Sequence, residues 1–318
     1  MEELLSTPVS RRSLIRSGAA AAALLAIGVD PLEVLAASAP VRITILHTND
    51  VHSRIEPFPM DGSANQGLGG VARRAALIRK IRSEEKNVLL LDAGDIFQGT
   101  PYFNLFGGEL EMKLMSEMGY DAATMGNHDF DNGLEGFAKQ LPHARFPILV
   151  ANYDFTGTLL RDRTLPYTVF KRDGIRIGVF GLGIELKGLV DQKNYGQTVY
   201  LDPIQKAIET AAILRDRHRC HLVICLSHLG YRYEDDKVSD RVLAAQTRGI
   251  DLIIGGHTHT FMPQPEDVPN LDGHPTTINQ VGWAGINLGR IDYTFHRGRM
   301  GENRPAVAYT IGAPQRLT

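Results

Sequence analysis

From residue 41 onward apolar positions follow two alternating rhythms. Residues 41–47, 88–91, 122–125, 146–151, 167–171, 175–182, 222–226 and 252–254 are short, β-rich or continuously apolar runs. Continuous runs of that length are what strands covered on both faces look like. Between them the apolar spacing lengthens to three and four. Val71, Ala75, Ile78 and Ile81 mark one helix, and Leu110, Leu114 and Met118 a second. Asn132 and Glu135 have the spacing of a capping box opening a third helix towards Gln140. Asp202-Pro203 is an N-cap with proline at the first helical position, ahead of the stripe Ile204, Ala207, Ile208, Ala211 and Leu214. A further helix is predicted over 236–247. Arg172-Asp173-Gly174 joins two strands and carries a hairpin signal. The glycine-containing tail from Thr276 predicts antiparallel strands. There is no internal repeat and no low-complexity linker, so residues 40–318 read as one α/β domain layered around a mixed sheet.

The first 39 residues are a different kind of chain. Arg11-Arg12 and Arg16 precede a short apolar stretch over 18–29, then the small residues of 34–39. A basic region, a brief apolar core and small-residue cleavage sites describe an export signal, and the paired arginines resemble a twin-arginine signal. Cleavage falls near 36–39; Pro40 would flank a cut after Ala39, which favours Ala36. The apolar run is too short for a membrane span. The expected destination is periplasmic or otherwise extracytoplasmic. Twin-arginine export carries folded proteins.

Composition narrows the function. A formal charge of −2 argues against a nucleic-acid polymer or an anionic membrane surface as partner. Gly181-Leu182-Gly183 lacks the third glycine of a dinucleotide fingerprint, and no Gly-x-x-x-x-Gly-Lys loop occurs. The two cysteines, Cys220 and Cys225, would fall on opposite faces of one strand, so a disulfide between them is not expected.

Chemistry concentrates where the apolar runs end. Asp50-Val51-His52 follows 41–47, Gly94-Asp95 follows 88–91, and Gly126-Asn127-His128-Asp129 follows 122–125. Ser227-His228 follows 222–226, Gly256-His257-Thr258-His259 follows 252–254, and Asp131 lies just downstream of His128. In open α/β sheets ligands gather beyond the carboxyl ends of strands. Singly these residues have plain explanations: Asp50 and Asp95 as turn formers, Asp131 as a helix cap, His228 as a structural histidine. Jointly they place only nitrogen and oxygen ligands at five strand ends. That donor set, without thiolates, favours Zn, Mn, Fe or Co over softer metals.

The ordered set Asp-x-His, Gly-Asp, Gly-Asn-His-Asp, His and Gly-His-x-His resembles the calcineurin-like metallophosphoesterases over roughly residues 41 to 295. His47-Thr48-Asn49-Asp50 and Asn127-His128-Asp129-Phe130-Asp131 are similar to the 5′-nucleotidase/UDP-sugar hydrolase branch. The resemblance implies a layered metallophosphoesterase domain with mixed sheets flanked by helices. It implies two divalent metal ions, one on Asp50, His52, Asp95 and His259, the other on Asp95, Asn127, His228 and His257. Asp95 would bridge them, and a bridging hydroxide would attack phosphorus in line with the leaving group. His128 would act on the transition-state charge or the leaving oxygen, with Asp131 fixing its tautomer.

The resemblance also carries two departures. Asp129 stands where many relatives have Glu, a conservative exchange from which little is expected. The larger 5′-nucleotidases continue into a second domain that supplies arginines for phosphate and aromatics for the base, and the sequence ends at Thr318. The expected function is an exported phosphomonoesterase or 5′-nucleotidase acting on a small phosphorylated substrate such as a nucleotide. A separate protein could supply a substrate-binding domain. A phosphodiesterase, a UDP-sugar pyrophosphatase and a sulfate thiohydrolase-like enzyme are the alternatives within enzymes. A non-catalytic metal-binding protein is the alternative outside them.

Overall fold

The structure, a computed structural model, describes residues 39–296, 298–301 and 306–312. The expected export signal thus lies outside the described residues, apart from Ala39. Two six-stranded sheets dominate. The first has the order β13 (Arg299–Met300), β12 (Asn287–His296), β1 (Val41–Thr48), β2 (Val88–Asp92) and β3 (Ala122–Ala123), with β14 (Val307–Thr310) also pairing β12. The second runs β10 (Glu266–Pro269), β11 (Pro275–Asn279), β9 (Leu252–Gly255), β8 (Leu222–Ser227), β6 (Ile175–Leu182) and β5 (Tyr167–Arg172). A small ribbon joins β4 (Tyr153–Asp154) to β7 (Val199–Tyr200). Both large sheets are mixed. β1, β2 and β3 are mutually parallel, as are β6, β8, β9 and β11, while β12, β5 and β10 pair antiparallel to their neighbours.

Period-two alternation decides what each sheet face covers. Ile43, Ile45, Leu89 and Leu91 of the first sheet pack against Ile177, Val179, Leu222, Ile224, Leu252 and Ile254 of the second. Their neighbours Leu46 and Leu90 turn the other way. They meet Ile78 and Ile81 of α1 (Val71–Glu84), Phe103 of α2 (Pro101–Phe106), Met112 and Met115 of α3 (Glu109–Met118), and Phe137 of α4 (Gly133–Gln140). On the far side Phe180, Val223, Cys225 and Ile253 meet Ala207 and Ala211 of α6 (Pro203–Ala212), which follows the single-turn α5 (Gln192–Tyr195). Leu243 of α7 (Asp240–Gln246) closes that layer. The result is a helix–sheet–sheet–helix sandwich. Each fully buried leucine or isoleucine contributes about 1.5–3 kcal/mol.

Local signals mostly hold. Asp202 caps α6, its carboxylate accepting from Gln205 N at 2.9 Å. Asp173 and Gly174, at φ 44° and 84°, form the β5–β6 hairpin with the left-handed pair that a tight hairpin needs.

Other expectations are corrected. Residues 146–151 form no strand: only isolated bridges occur, Ile148 with Ala123 and Leu149 with Leu165. The segment trades hydrogen bonds with Ala123, Leu165 and Gly181 in turn, so no ladder with one partner develops. The strand expected over 122–125 stops at Ala123. The helix expected over 236–247 starts only after Ser239, which caps it through Val242 N. Asn132 sits at the N-cap of α4 without a capping bond. In the tail, β11 pairs parallel with β9 as well as antiparallel with β10. Cys220 precedes β8, so strand alternation does not reach it; it and Cys225 are free, buried and part of one cluster. No helix among the described residues is long and apolar enough to cross a membrane.

Candidate metal centre

Loops leaving the carboxyl ends of β1, β2 and β3 in one sheet, and of β8 and β9 in the other, meet at one end of the sandwich. Their backbones are held in a conformation that side chains rarely adopt. Asp50, His52, Asp95, His257 and His259 all have φ between 50° and 71°. Non-glycine residues with positive φ are a few per cent of a typical protein and cost about 1–3 kcal/mol each. Here they cluster at five of the seven positions expected to bind metal. Cross-bonds between loops hold them: Asp50 N donates to Gly94 O at 2.9 Å, His52 N to Asp95 O at 3.0 Å, and Ala284 N to Asp50 O at 2.7 Å. Glycine precedes Asp95 and Asn127 for a steric reason. A Cβ on Gly94 would lie 2.6 Å from Gly126 N, and one on Gly126 would lie 2.1 Å from Asp95 Oδ1.

The side chains converge in two sets. Donor atoms of Asp50, His52, Asp95 and His259 lie within 4.8 Å of one another, and so do those of Asp95, His228 and His257. Asp95 belongs to both. Asn127 joins the second set through its Oδ1, 2.8 Å from His257 Nδ1. All seven positions therefore come together. His52 Nε2 and His259 Nε2 face each other at 2.9 Å, the approach of two donors aimed at a common point.

Surrounding groups fix which ring nitrogen points inward. His228 Nδ1 donates to Ala93 O at 2.7 Å, and His52 Nδ1 lies 3.2 Å from Phe97 O. Both leave Nε2 towards the cluster, the arrangement that orients imidazoles for a metal. His228 Nε2 stands 3.1 Å from Asp95 Oδ2 and 3.9 Å from Asp50 Oδ1, yet completes a hydrogen bond with neither. Burial opposes charge on His228, but the carboxylates of Asp95 and Asp50 push its pKa up to about 10. Burial would raise the Asp95 carboxyl; the charges of His228 and His52 instead hold it well below the usual range. The pocket thus draws positive charge to a point between two buried carboxylates. Burial, reinforced by the charge of His228, lowers His257 to about 4, and burial also lowers His52; neutral imidazoles are the form that ligates.

Asp129 carries more than the sequence reading assigned to it. Its fully enclosed carboxylate accepts four backbone N–H bonds: Gly126 at 2.8 Å, Asp95 at 3.1 Å, Ile96 at 3.0 Å and Phe97 at 3.1 Å. It thereby clamps the β2 loop to the β3 loop, and Asp95 Oδ1 accepts from His128 N at 2.8 Å across the same seam. Burial and the nearby Asp95 charge raise Asp129 to about 7. Its place inside the Gly-Asn-His-Asp motif was the available signal.

His128 and Asp131 stand beside the cluster. His128 Nδ1 donates to Asp131 Oδ2 at 2.9 Å, with the two side chains 37% and 31% exposed. That bond is the main cause raising the His128 pKa, against a lowering by burial. The His128 ring is edge-on to His52 at 5.3 Å.

Comparison with known proteins decides the family. A calcineurin-like phosphoesterase profile matches residues 43–261. The chain belongs to the calcineurin-like phosphoesterase family. It is 37% identical over 274 residues to a 5′-nucleotidase of Rattus norvegicus, covering 80% of this chain and 46% of that protein. A snake venom 5′-nucleotidase of Gloydius brevicauda is 36% identical over 279 residues, covering 81% and 46%. Among solved structures, a 5′-nucleotidase precursor from Thermus thermophilus superposes with a TM-score of 0.76 at 33% identity, covering 85% of this chain and 54% of that one. The chain spans about half the length of these curated relatives. Calcineurin-like phosphoesterases use divalent metals, and the nitrogen and oxygen donors grouped here fit such ions.

Proposed function

We propose that this chain is the catalytic domain of an exported phosphomonoesterase of the 5′-nucleotidase type, working with two divalent ions. The observation that carries the reading is the convergence of seven ligand positions in two sets sharing Asp95, with the His128–Asp131 pair alongside. Asp50, His52, Asp95 and His259 would hold one ion; Asp95, Asn127, His228 and His257 the other. The ions would supply Lewis acidity towards phosphoryl oxygens and an acidified water at neutral pH. The protein's own residues do the remaining work. Ala93 O and Phe97 O orient the ligating imidazoles, and Asp129 fixes the loop that carries Asp95. The imidazolium of His128, held through Nδ1 by Asp131, presents its other face to developing charge and can protonate the departing oxygen.

The substrate class is a small phosphate monoester such as a nucleotide. Support comes from the 5′-nucleotidase relatives, each about twice as long as the matched region. A second protein or segment would complete base recognition. Export would use the Arg11-Arg12 signal; exchange of both arginines for lysine abolishes it if so. The main test is a panel of AMP, a cyclic nucleotide, UDP-glucose and bis-p-nitrophenyl phosphate, with metal content measured on the same preparation. AMP hydrolysis with two ions per chain is expected. A protein carrying two ions and turning over none of them would overturn the proposal. Preference for the diester or UDP-glucose would move it to the phosphodiesterase or pyrophosphatase reading.

A further inference from the structure

Beside the metal-ligand cluster lies a cavity of about 180 Å³, walled by His52, His128, His259, Arg54 and Trp283 among others. Among the described residues Arg54 is the one arginine or lysine on its wall, and no carboxylate lines it. Two other half-buried arginines, Arg215 and Arg290, are ion-paired. Arg215 Nη2 donates to Asp251 at 2.5 Å, and Arg290 Nη2 lies 2.6 Å from Glu85 and 2.9 Å from Asp292. Arg54 differs. Its Nε is buried with no hydrogen-bond partner, and its guanidinium lies 4.2 Å over the face of Phe58. Phe58 in turn packs edge-on against Trp283, which stacks parallel on His259. An aromatic stack therefore braces a positive charge at the cavity while offering it no counter-ion. A buried N–H without a partner is costly, and a guanidinium fork matches phosphate oxygens.

We propose that Arg54 binds the phosphate of the substrate and selects dianionic monoesters over monoanionic diesters. The inference rests on the phosphoesterase reading of the neighbouring cluster and names a specificity residue within it. The cavity is smaller than the roughly 300–1,000 Å³ of sites that enclose whole small molecules. It accommodates a phosphate and the first atoms of its alcohol, and the rest of the substrate extends past the rim. A monoester carries one more negative charge than a diester near neutral pH. Loss of Arg54 therefore falls hardest on the monoester.

The test compares the metal-loaded wild type with Arg54→Gln and Arg54→Lys. Substrates are AMP and p-nitrophenyl phosphate against bis-p-nitrophenyl phosphate. Arg54→Gln is expected to lower kcat/KM for the monoesters by about tenfold or more, the size of a lost charge-assisted hydrogen bond. The diester rate should change far less, and Arg54→Lys should recover part of the monoester rate. Equal losses on both ester classes would mean that Arg54 only packs the loop, and would overturn the proposal. Binding is read separately from turnover. Trp283 is the single tryptophan of the chain, so its fluorescence reports on this wall directly. Titration with inorganic phosphate should give a Kd about tenfold weaker in Arg54→Gln; an unchanged Kd overturns the inference even if the wild type hydrolyses nothing. Absent hydrolysis with phosphate binding that depends on Arg54 would instead sink the phosphoesterase reading, and with it the ester selectivity, while leaving Arg54 as a phosphate-binding residue.

Discussion

The floor and the rim of the site are built on different principles. On the floor Asp50, Asp95 and His228 have side chains at most 2% exposed. Each is tied to backbone groups: Asp50 accepts from His257 N, Asp95 from His128 N, and His228 donates to Ala93 O. On the rim His128 and Asp131 are 37% and 31% exposed, and Arg54 is held by ring contacts. The contrast teaches where chemistry can be separated from architecture. A floor residue, both proposed ligand and loop brace, should on loss cost metal, geometry and stability together. A rim residue touches what enters the cavity or, like Asp131, acts through one that does, so its loss should cost rate or selectivity alone.

The strongest way to break that contrast is at the shared carboxylate. Asp95→Asn is expected to abolish turnover and leave the protein with at most one ion, measured by elemental analysis. The loss should exceed the roughly 10–100-fold that changes behind a metal ligand produce. Stripping the metals from the wild type with a chelator should lower Tm as well, because ions that bind only the folded loops stabilise them. Full metal content in Asp95→Asn would refute its place in both sets.

Asp129→Ala comes next. It leaves four backbone donors without their acceptor, and each buried unsatisfied donor costs about 1–3 kcal/mol. A several-degree fall in Tm with weakened metal retention is expected from calorimetry and dialysis. An unchanged Tm would show that the clamp between the β2 and β3 loops is not structural.

These two residues also mark how far the sequence could be read. Asp95 stood out because few residue types ligate hard or borderline metals, and they recur in order at strand ends. Asp129 did not, because its partners are main-chain groups, most of them more than thirty residues away, and no side-chain pattern encodes such bonds. Layering followed from continuous apolar runs, whereas the division into two sheets depends on which face of each run finds which partner. Residues 146–151 have strand-like composition, but their pairing changes at almost every residue. The left-handed backbone at Asp50 and His257 is likewise imposed by loops meeting across the sandwich. Arg54 belongs to no ligand pattern; its significance lies in what it fails to pair with.

His128→Ala sharpens the contrast from the rim side. It should keep both ions and an unchanged Tm while losing about 10²–10⁴ in kcat, the usual reach of a positioned acid or base. Asp131→Asn, which acts through His128, should lose about 10–100-fold and shift the pH profile of what remains. If His128→Ala released metal, the division between floor and rim would fail. An unchanged kcat would remove His128 from the proposed chemistry.

The smallest effect on turnover is expected behind the floor, at Asp240. Its Oδ1 accepts from Ser227, next to His228, while Oδ2 is buried without a partner. Burial pushes its pKa up to about 8, against the lowering effect of the Ser227 hydroxyl. An unfolded chain would release that proton near pH 3.9. Between about pH 4 and 8 the folded state therefore keeps a proton that the unfolded state gives up. The stabilising contribution of this group is complete below pH 4, falls as the pH rises, and is lost through pH 8. Asn cannot titrate but retains an oxygen for Ser227. The Tm of Asp240→Asn relative to wild type should therefore rise between pH 5 and 8, with kcat nearly constant. A Tm difference that stays flat across that range would show that Asp240 is ionised in the folded protein, and that the floor rests on a buried charge.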